Sequence, residues 1–189
     1  MSKNKIIENS KALFKQYGYQ KTTLTDIAKS LGKVKSTIYY YFSGKEEIFA
    51  ELVRSEAETF LSNLISKVEK YEDPEEQLIK YVDVRVDLME EVAKRYSFLK
   101  KEFFELMPIV DENRQACDLE EIQFLTGIFE RINKKGNYTI SNPAFKAKLL
   151  MKNIKGLEIQ MYVTDQVQAH NEDREAFIEF ILFGIYKNK

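Results

Sequence analysis

Apolar positions recur along almost the whole chain at helical spacing, and no stretch shows the apolar-polar alternation of a half-buried strand. Ile6, Ser10, Leu13, Phe14 and Tyr17 predict a first helix, which Gly18 stops just beyond its end. Leu24, Ile27, Ala28 and Leu31 predict a short second helix closed by Gly32. Ahead of it, Thr23 with Asp26 three residues later has the form of a capping box, Asp replacing the usual Glu. The row Val34, Ile38, Phe42 gives a third helix one apolar face before Ser43-Gly44 ends it. From Lys45 a fourth helix turns Ile48, Phe49, Leu52 and Val53 inward, and its pattern continues toward Phe60, Leu61, Leu64 and Val68 with room for a break between.

The remainder reads as helices too. Asp73-Pro74 opens a segment with Leu78, Tyr81, Val82, Arg85 and Met89 in register, since proline is well tolerated at a first helical position. Phe98, Phe103, Phe104 and Met107 form a shorter helix that Pro108 is expected to stop, and another runs from about Asp118 to Gly136. Asn142-Pro143 starts a long helix with the stripe Leu150, Ile154, Leu157 and Met161, ending near Val167. The last helix, Glu172 to about Lys187, is apolar nearly all round and has to be covered on more than one side, by a second copy of the protein or by its own chain.

Composition adds little to the fold and more to the function. The 189 residues hold only 7 Gly and 3 Pro, which favours long helices over many turns, and suffice for a small domain joined to a larger one. Cys117 is the only cysteine, so no internal disulfide can form. No signal peptide or membrane span is legible, and a cytoplasmic location is expected. The net charge of −1 conceals an asymmetry: residues 1 to 45 carry nine lysines against Glu8 and Asp26, a balance of +7, which leaves −8 for the rest. A basic head on an acidic body points to a polyanionic partner, or else to a solvated lysine-rich surface.

Within that head, Tyr39, Tyr40, Tyr41 and Phe42 follow one another. Successive helical residues are turned by roughly 100°, so four adjacent rings cannot all enter one core. Two short helices joined across Gly32-Lys33-Val34 have the layout of a helix-turn-helix, whose second helix enters a DNA major groove. Ile38 and Phe42 hold that helix down, leaving Lys35, Ser36, Thr37 and parts of the three tyrosines on the surface. Their hydroxyls suit phosphate oxygens, their ammonium groups neutralise them, and exposed rings or methyls suit thymine methyl groups.

The residues Thr22-Thr23-Leu24-Thr25-Asp26-Ile27-Ala28, Gly32, Ser36-Thr37-Ile38-Tyr39-Tyr40-Tyr41-Phe42 and Lys45-Glu46-Glu47-Ile48 resemble the DNA-binding domain of the TetR family of bacterial transcriptional repressors. The resemblance covers roughly residues 4 to 54. It implies an all-α protein of about nine helices, with a three-helix DNA-binding head over residues 1–50 and a ligand-binding, dimerising bundle over 51–189. It implies a homodimer that binds a palindromic double-stranded DNA operator and is released by a small hydrophobic or aromatic effector. By the same resemblance Lys45 should hold a phosphate, and Thr23 and Thr25 should meet the DNA backbone, although Thr23 also has its cap to form. The last two helices should build the dimer, through Leu150, Ile154, Leu157, Met161, Phe177, Ile181 and Ile185.

One departure is specific. Where the family commonly has Gly-Val-Ser, this chain has Gly32-Lys33-Val34, losing the serine that usually caps the recognition helix and adding Lys33 at the groove's edge. The first 50 residues contain no arginine, the commonest bidentate reader of guanine, so an operator read through phosphates, thymine methyls and DNA shape is expected.

For an effector, the central helices offer Phe60, Tyr81, Arg85, Met89, Phe98, Phe103, Met107, Phe124 and Phe129, which serve equally as plain core. Arg85 either meets an anionic ligand or pairs with Asp87, Glu90 or a surface carboxylate. A helical interaction or small-molecule-binding protein that never touches DNA is the alternative reading. An enzyme is not expected: His170 is the only histidine, Glu-x-x-His is absent, and Cys117 has no sequence-adjacent partner, so no catalytic residue, metal or cofactor is assigned.

Overall fold

The computed structural model describes residues 1–136 and 138–163, with 176, 179, 180, 187 and 188 beyond them; the side chains of 98, 99, 138, 157–163, 187 and 188 are excepted. Among the described residues the order is α1 (Lys3–Tyr17), α2 (Leu24–Ser30), α3 (Lys35–Tyr39), α4 (Lys45–Val68), α5 (Pro74–Arg95), a 3-10 turn (Ser97–Glu102), α6 (Phe103–Lys135), β1 (Tyr138–Thr139), α7 (Pro143–Val163) and β2 (Lys187–Asn188). The fold is all-α apart from the two-residue strands, which pair antiparallel.

Among the described residues seven α-helices stand where nine were expected, for one physical reason and one of coverage. Helix α4, counted once in that expectation, runs unbroken from Lys45 to Val68, because nothing between Val53 and Phe60 breaks a helix. The two helices expected on either side of Pro108 are one, since α6 passes straight through it. The first four N–H groups of any helix lack an intrahelical acceptor, so a proline one and a half turns in deprives α6 of a single early bond, to Phe104. The polar stretch Asp111 to Gln115, which has no apolar stripe to betray it, contains neither Gly nor Pro and stays helical. The expected helix over 172–187 lies largely outside the described residues.

The chain divides into two compact units, neither continuous in sequence. Unit 1 is Met1–Thr59 with Tyr96–Gln115, and unit 2 is Phe60–Arg95 with Ala116–Lys189. Helix α4 continues through residue 50, and unit 1 includes a segment from the middle of the chain.

In unit 1, Ile6, Phe14, Ile27, Ile38, Phe42, Ile48 and Phe49 are buried. Phe14, Tyr19 and Phe49 form a mutually contacting aromatic trio, with centroids 5.0–5.9 Å apart, the spacing at which tilted and edge-on rings attract. Tyr17 lies exposed, although its spacing suggested the core; Tyr19, beyond the helix stop, supplies the ring instead. Unit 2 has its own core of Leu64, Val68, Leu78, Tyr81, Val82, Leu125, Ile128, Phe129, Ile132, Ile140, Ala147, Leu150 and Ile154.

Candidate nucleic-acid interface

The site starts from the cap of α2. Thr23 is extended, its Oγ1 accepts from the Asp26 N–H at 3.2 Å, and its own N–H donates to Asp26 Oδ2 at 2.9 Å, a reciprocal capping box. The Thr23 hydroxyl also donates to Asp26 Oδ2, at 2.6 Å. These two bonds, side-chain first, hold the Asp26 carboxyl below the usual carboxylate range. Thr25 sits one turn inside, exposed.

After α2 the chain turns through Gly32, whose φ of 63° is a left-handed conformation that glycine adopts without penalty. The N–H groups of Leu31, Gly32 and Lys33 bond back to the carbonyls of Ala28 and Lys29, closing the turn. The recognition helix α3 then begins at Lys35, with Val34 as an N-cap that has no side-chain bond. Loss of the capping serine thus leaves the helix start uncapped, and α3 is only five residues long.

Val34 is 67% exposed, so the apolar row expected to run through it begins at Ile38 instead. A residue at an N-cap still has extended backbone and does not share the helix's inner face. Ile38 and Phe42, at 0% and 1% exposure, carry the anchoring alone. Helical turns continue past α3, with Tyr41 N–H and Phe42 N–H both donating to the Ile38 carbonyl at 2.9 and 3.0 Å, which keeps the three tyrosines on one curved surface.

Tyr40 is 82% exposed, Tyr39 is half exposed, and Tyr41 is partly covered. The Tyr40 and Tyr41 rings stand edge to face at 4.9 Å, the Lys35 ammonium lies 5.4 Å from the Tyr39 ring, and the Tyr41 hydroxyl donates to the Met1 carbonyl at 2.7 Å. Lys33, Lys35 and Ser36 are exposed and Thr37 is half-buried. The structure thus brings Lys33, Lys35, Ser36, Thr37, Tyr39, Tyr40 and Tyr41 to the α3 turn, while Thr23 and Thr25 stand at the start of α2.

Lys45 is placed otherwise. Its ammonium donates to the carbonyls of Tyr19 and Gln20 at 2.7 and 3.3 Å and lies 4.2 Å from the Tyr19 ring. Burial pushes its pKa down, against an opposing pull from Glu102. Behind the same dipeptide, Glu102 Oε2 and Oε1 accept from the Tyr19 and Gln20 N–H groups, each at 2.8 Å. Sequence reasoning missed Tyr19, Gln20 and Glu102, since a carboxylate more than 80 positions away leaves no periodic or motif signal.

The residues proposed for an effector divide between the units. Phe103 is buried and Met107 half-buried in unit 1, which also includes Phe98; Phe60, Tyr81, Arg85, Met89, Phe124 and Phe129 belong to unit 2. Arg85 pairs with a buried carboxylate rather than a surface one. Glu121, from α6, accepts from Arg85 Nε and from the Tyr81 hydroxyl, both at 2.6 Å, and Phe60's ring centroid is 5.6 Å from the guanidinium carbon. All three polar residues are buried. Burial and then the Glu121 charge hold the Tyr81 phenol well above its ordinary pKa, whereas for Arg85 burial, the largest influence, lowers the pKa and Glu121, Tyr81 and Asp118 together more than offset it.

Two of the residues expected at a dimer surface, Leu150 and Ile154, face unit 2's own core. The side chains of Leu157 and Met161, and Phe177, Ile181 and Ile185, lie outside those described. On the other face of α7, Phe145 and Leu149, one turn apart, are exposed.

Comparison with known proteins agrees with this geometry. The family of bacterial regulatory proteins, tetR family, matches residues 6–52. The head is a TetR-family domain. The chain is 41% identical over 63 residues to the negative transcriptional regulator of the biofilm operon icaADBC of Staphylococcus epidermidis, a stretch that is 33% of this chain and 34% of that protein. The chain spans about a third of the length of the curated relatives it matches. The whole chain shares its fold with a TetR transcription regulator from Haloarcula marismortui, with a TM-score of 0.79 at 18% identity over 98% of both chains. It also shares it with SmeT, repressor of a Stenotrophomonas maltophilia multidrug efflux pump, with a TM-score of 0.71 at 19% identity over 99% of this chain and 91% of that one.

Proposed function

We propose that this protein is a sequence-specific DNA-binding transcriptional repressor that binds a palindromic operator as a homodimer and is released by a small hydrophobic or aromatic molecule. One observation carries the reading: Ile38 and Phe42 are wholly buried while Tyr39, Tyr40, Lys33, Lys35 and Ser36 stand out from the same turn. A surface of hydroxyls, rings and ammonium groups on a helix-turn-helix suits phosphates and thymine methyls. The negative regulator of icaADBC, which is 41% identical over 63 residues, supports repression.

The operator is contacted by Thr25, Lys33, Lys35, Ser36, Thr37, Tyr39, Tyr40 and Tyr41, and by Thr23 at the margin of its cap. Two-fold symmetry would place two α3 helices on two half-sites about one helical turn apart, roughly 34–36 Å. Exposed Phe145 and Leu149 support a partner surface on α7. Apolar and aromatic side chains of unit 2, Phe60, Met89, Phe124 and Phe129 among them, support an apolar effector, whose binding shifts the population of DNA-competent conformers.

The test is selection of genomic fragments by the purified protein, followed by gel shift with and without hydrophobic compounds. An enriched palindrome, shifted at low salt and released by one compound class, is the expected result. Absence of any enriched sequence sinks the regulator reading and favours a helical protein that does not bind DNA.

A further inference from the structure

The Tyr19-Gln20 dipeptide lies between the end of α1 and the cap of α2, and all four of its backbone polar groups are held by two charged side chains. Its two N–H groups donate to Glu102, each at 2.8 Å, and its two carbonyls accept from Lys45 at 2.7 and 3.3 Å. The Gln20 side-chain amide adds a bond to Glu105 at 2.8 Å. Gly18, just ahead of the dipeptide, has a left-handed φ of 86° that glycine adopts without penalty, and it lies beside the Glu102 carboxylate.

The three parts joined in this way have different duties. Gln20 precedes the α2 cap at Thr23 by three residues, Lys45 is the first residue of α4 and follows the Tyr39–Tyr41 surface, and Glu102 belongs to the segment Tyr96–Gln115. That segment enters unit 1 from α5 and leaves it along α6, so both of its ends continue into unit 2. Charge-assisted bonds to backbone groups are short and strong and fix direction as well as distance.

We propose that Glu102 is a positioning residue for DNA binding: its carboxylate and the Lys45 ammonium grip the Tyr19-Gln20 dipeptide from its two sides and so set α2 against the recognition turn. The inference rests on the DNA-binding reading above. It gives Lys45 a duty other than the phosphate contact implied by resemblance, because its ammonium is directed at carbonyls of its own chain. A shift of the 96–102 segment then reaches the DNA-facing residues through hydrogen bonds to one dipeptide, with no contact between Glu102 and DNA.

The experiment uses the full chain and the duplex that the wild type enriches from a random-sequence pool. Affinity is measured over a salt series for Glu102→Ala, Glu102→Gln, Lys45→Ala and the Glu102→Ala/Lys45→Ala double variant, alongside thermal melts. Glu102→Ala should weaken binding about tenfold, the scale of one charge-assisted hydrogen bond, at an unchanged salt slope and at a temperature well below its melt. Glu102→Gln keeps one carbonyl acceptor and should lose less, and the double variant should bind no worse than the weaker single, because both residues act through one dipeptide. Should Glu102→Ala lose its cooperative melt, Glu102→Gln decides.

Affinity in Glu102→Ala equal to or above wild type overturns the inference, as does a Lys45→Ala salt slope lower by about one, the mark of a direct phosphate contact. A wild type that enriches no duplex overturns the DNA-binding reading itself, and this inference with it.

Discussion

At the scale of single residues, the tyrosine run separates into anchors and contacts. Phe42 is buried and Tyr41 is only partly covered, with its hydroxyl on the Met1 carbonyl. Tyr41→Ala should leave the thermal melt nearly where it is and weaken DNA binding, whereas Phe42→Ala should cost about 3–5 kcal/mol of stability, as other buried phenylalanines do. Similar destabilisation by both, in urea titrations, would show that Tyr41 is core as well. Thr23→Ala removes the acceptor of the Asp26 N–H and should cost about 1 kcal/mol. The capping box and the two anchors were legible because capping and helical burial are local, written within a few residues. The exposure of Val34 was not, since position in a periodic row does not tell where the first helical turn begins.

At the scale of elements, the buried Tyr81–Arg85–Glu121 cluster ties α5 to α6. Glu121→Gln leaves the Arg85 charge buried without its carboxylate and should destabilise the protein by about 3–5 kcal/mol. Tyr81 gives this cluster a pH signature. Its folded pKa lies above the unfolded one, so its contribution is whole below about pH 10, the ordinary phenol value, and is lost as pH rises through the folded value. Urea midpoints should therefore fall more steeply above about pH 10 for wild type than for Tyr81→Phe. Arg85 and the apolar register of α5 were readable in sequence, but its partner was not, because Glu121 lies 36 positions away on a helix whose charged residues look alike. Helix α6 was misread where the polar stretch after Pro108 offered no stripe. Since the helix already runs through that exposed proline, Pro108→Ala should raise stability, by up to about 3 kcal/mol.

At the scale of the whole molecule, the +7 of residues 1–45 against the −8 of the rest has a consequence for association. On the proposed DNA-binding reading, the lysines of the head would neutralise phosphates and release their counterions. The logarithm of affinity should fall linearly with that of salt, by about 0.9 per phosphate neutralised, and a binding constant unchanged between low and moderate salt would count against the proposed interface. The asymmetry between a basic and an acidic portion was visible in sequence. The inclusion of residues 96–115 in unit 1 was not, because charge and periodicity report on faces and not on which segments meet.

That inclusion also bears on the order in which the protein can be made. A ribosome releases the chain from its N-terminus, and α1, α2 and α3 emerge long before Glu102, whose carboxylate holds the N–H groups of Tyr19 and Gln20. Unit 1 lacks part of its structure until about residue 115 has been synthesised, although residues 6–52 already contain the whole region that matches the family. Domains fold in general as units, from the N-terminus onward during synthesis, yet here the first to appear has to wait for a segment translated after the opening part of the second, Phe60–Arg95. A nascent chain stalled near residue 60 should accordingly display a head more open to protease than one stalled past residue 115.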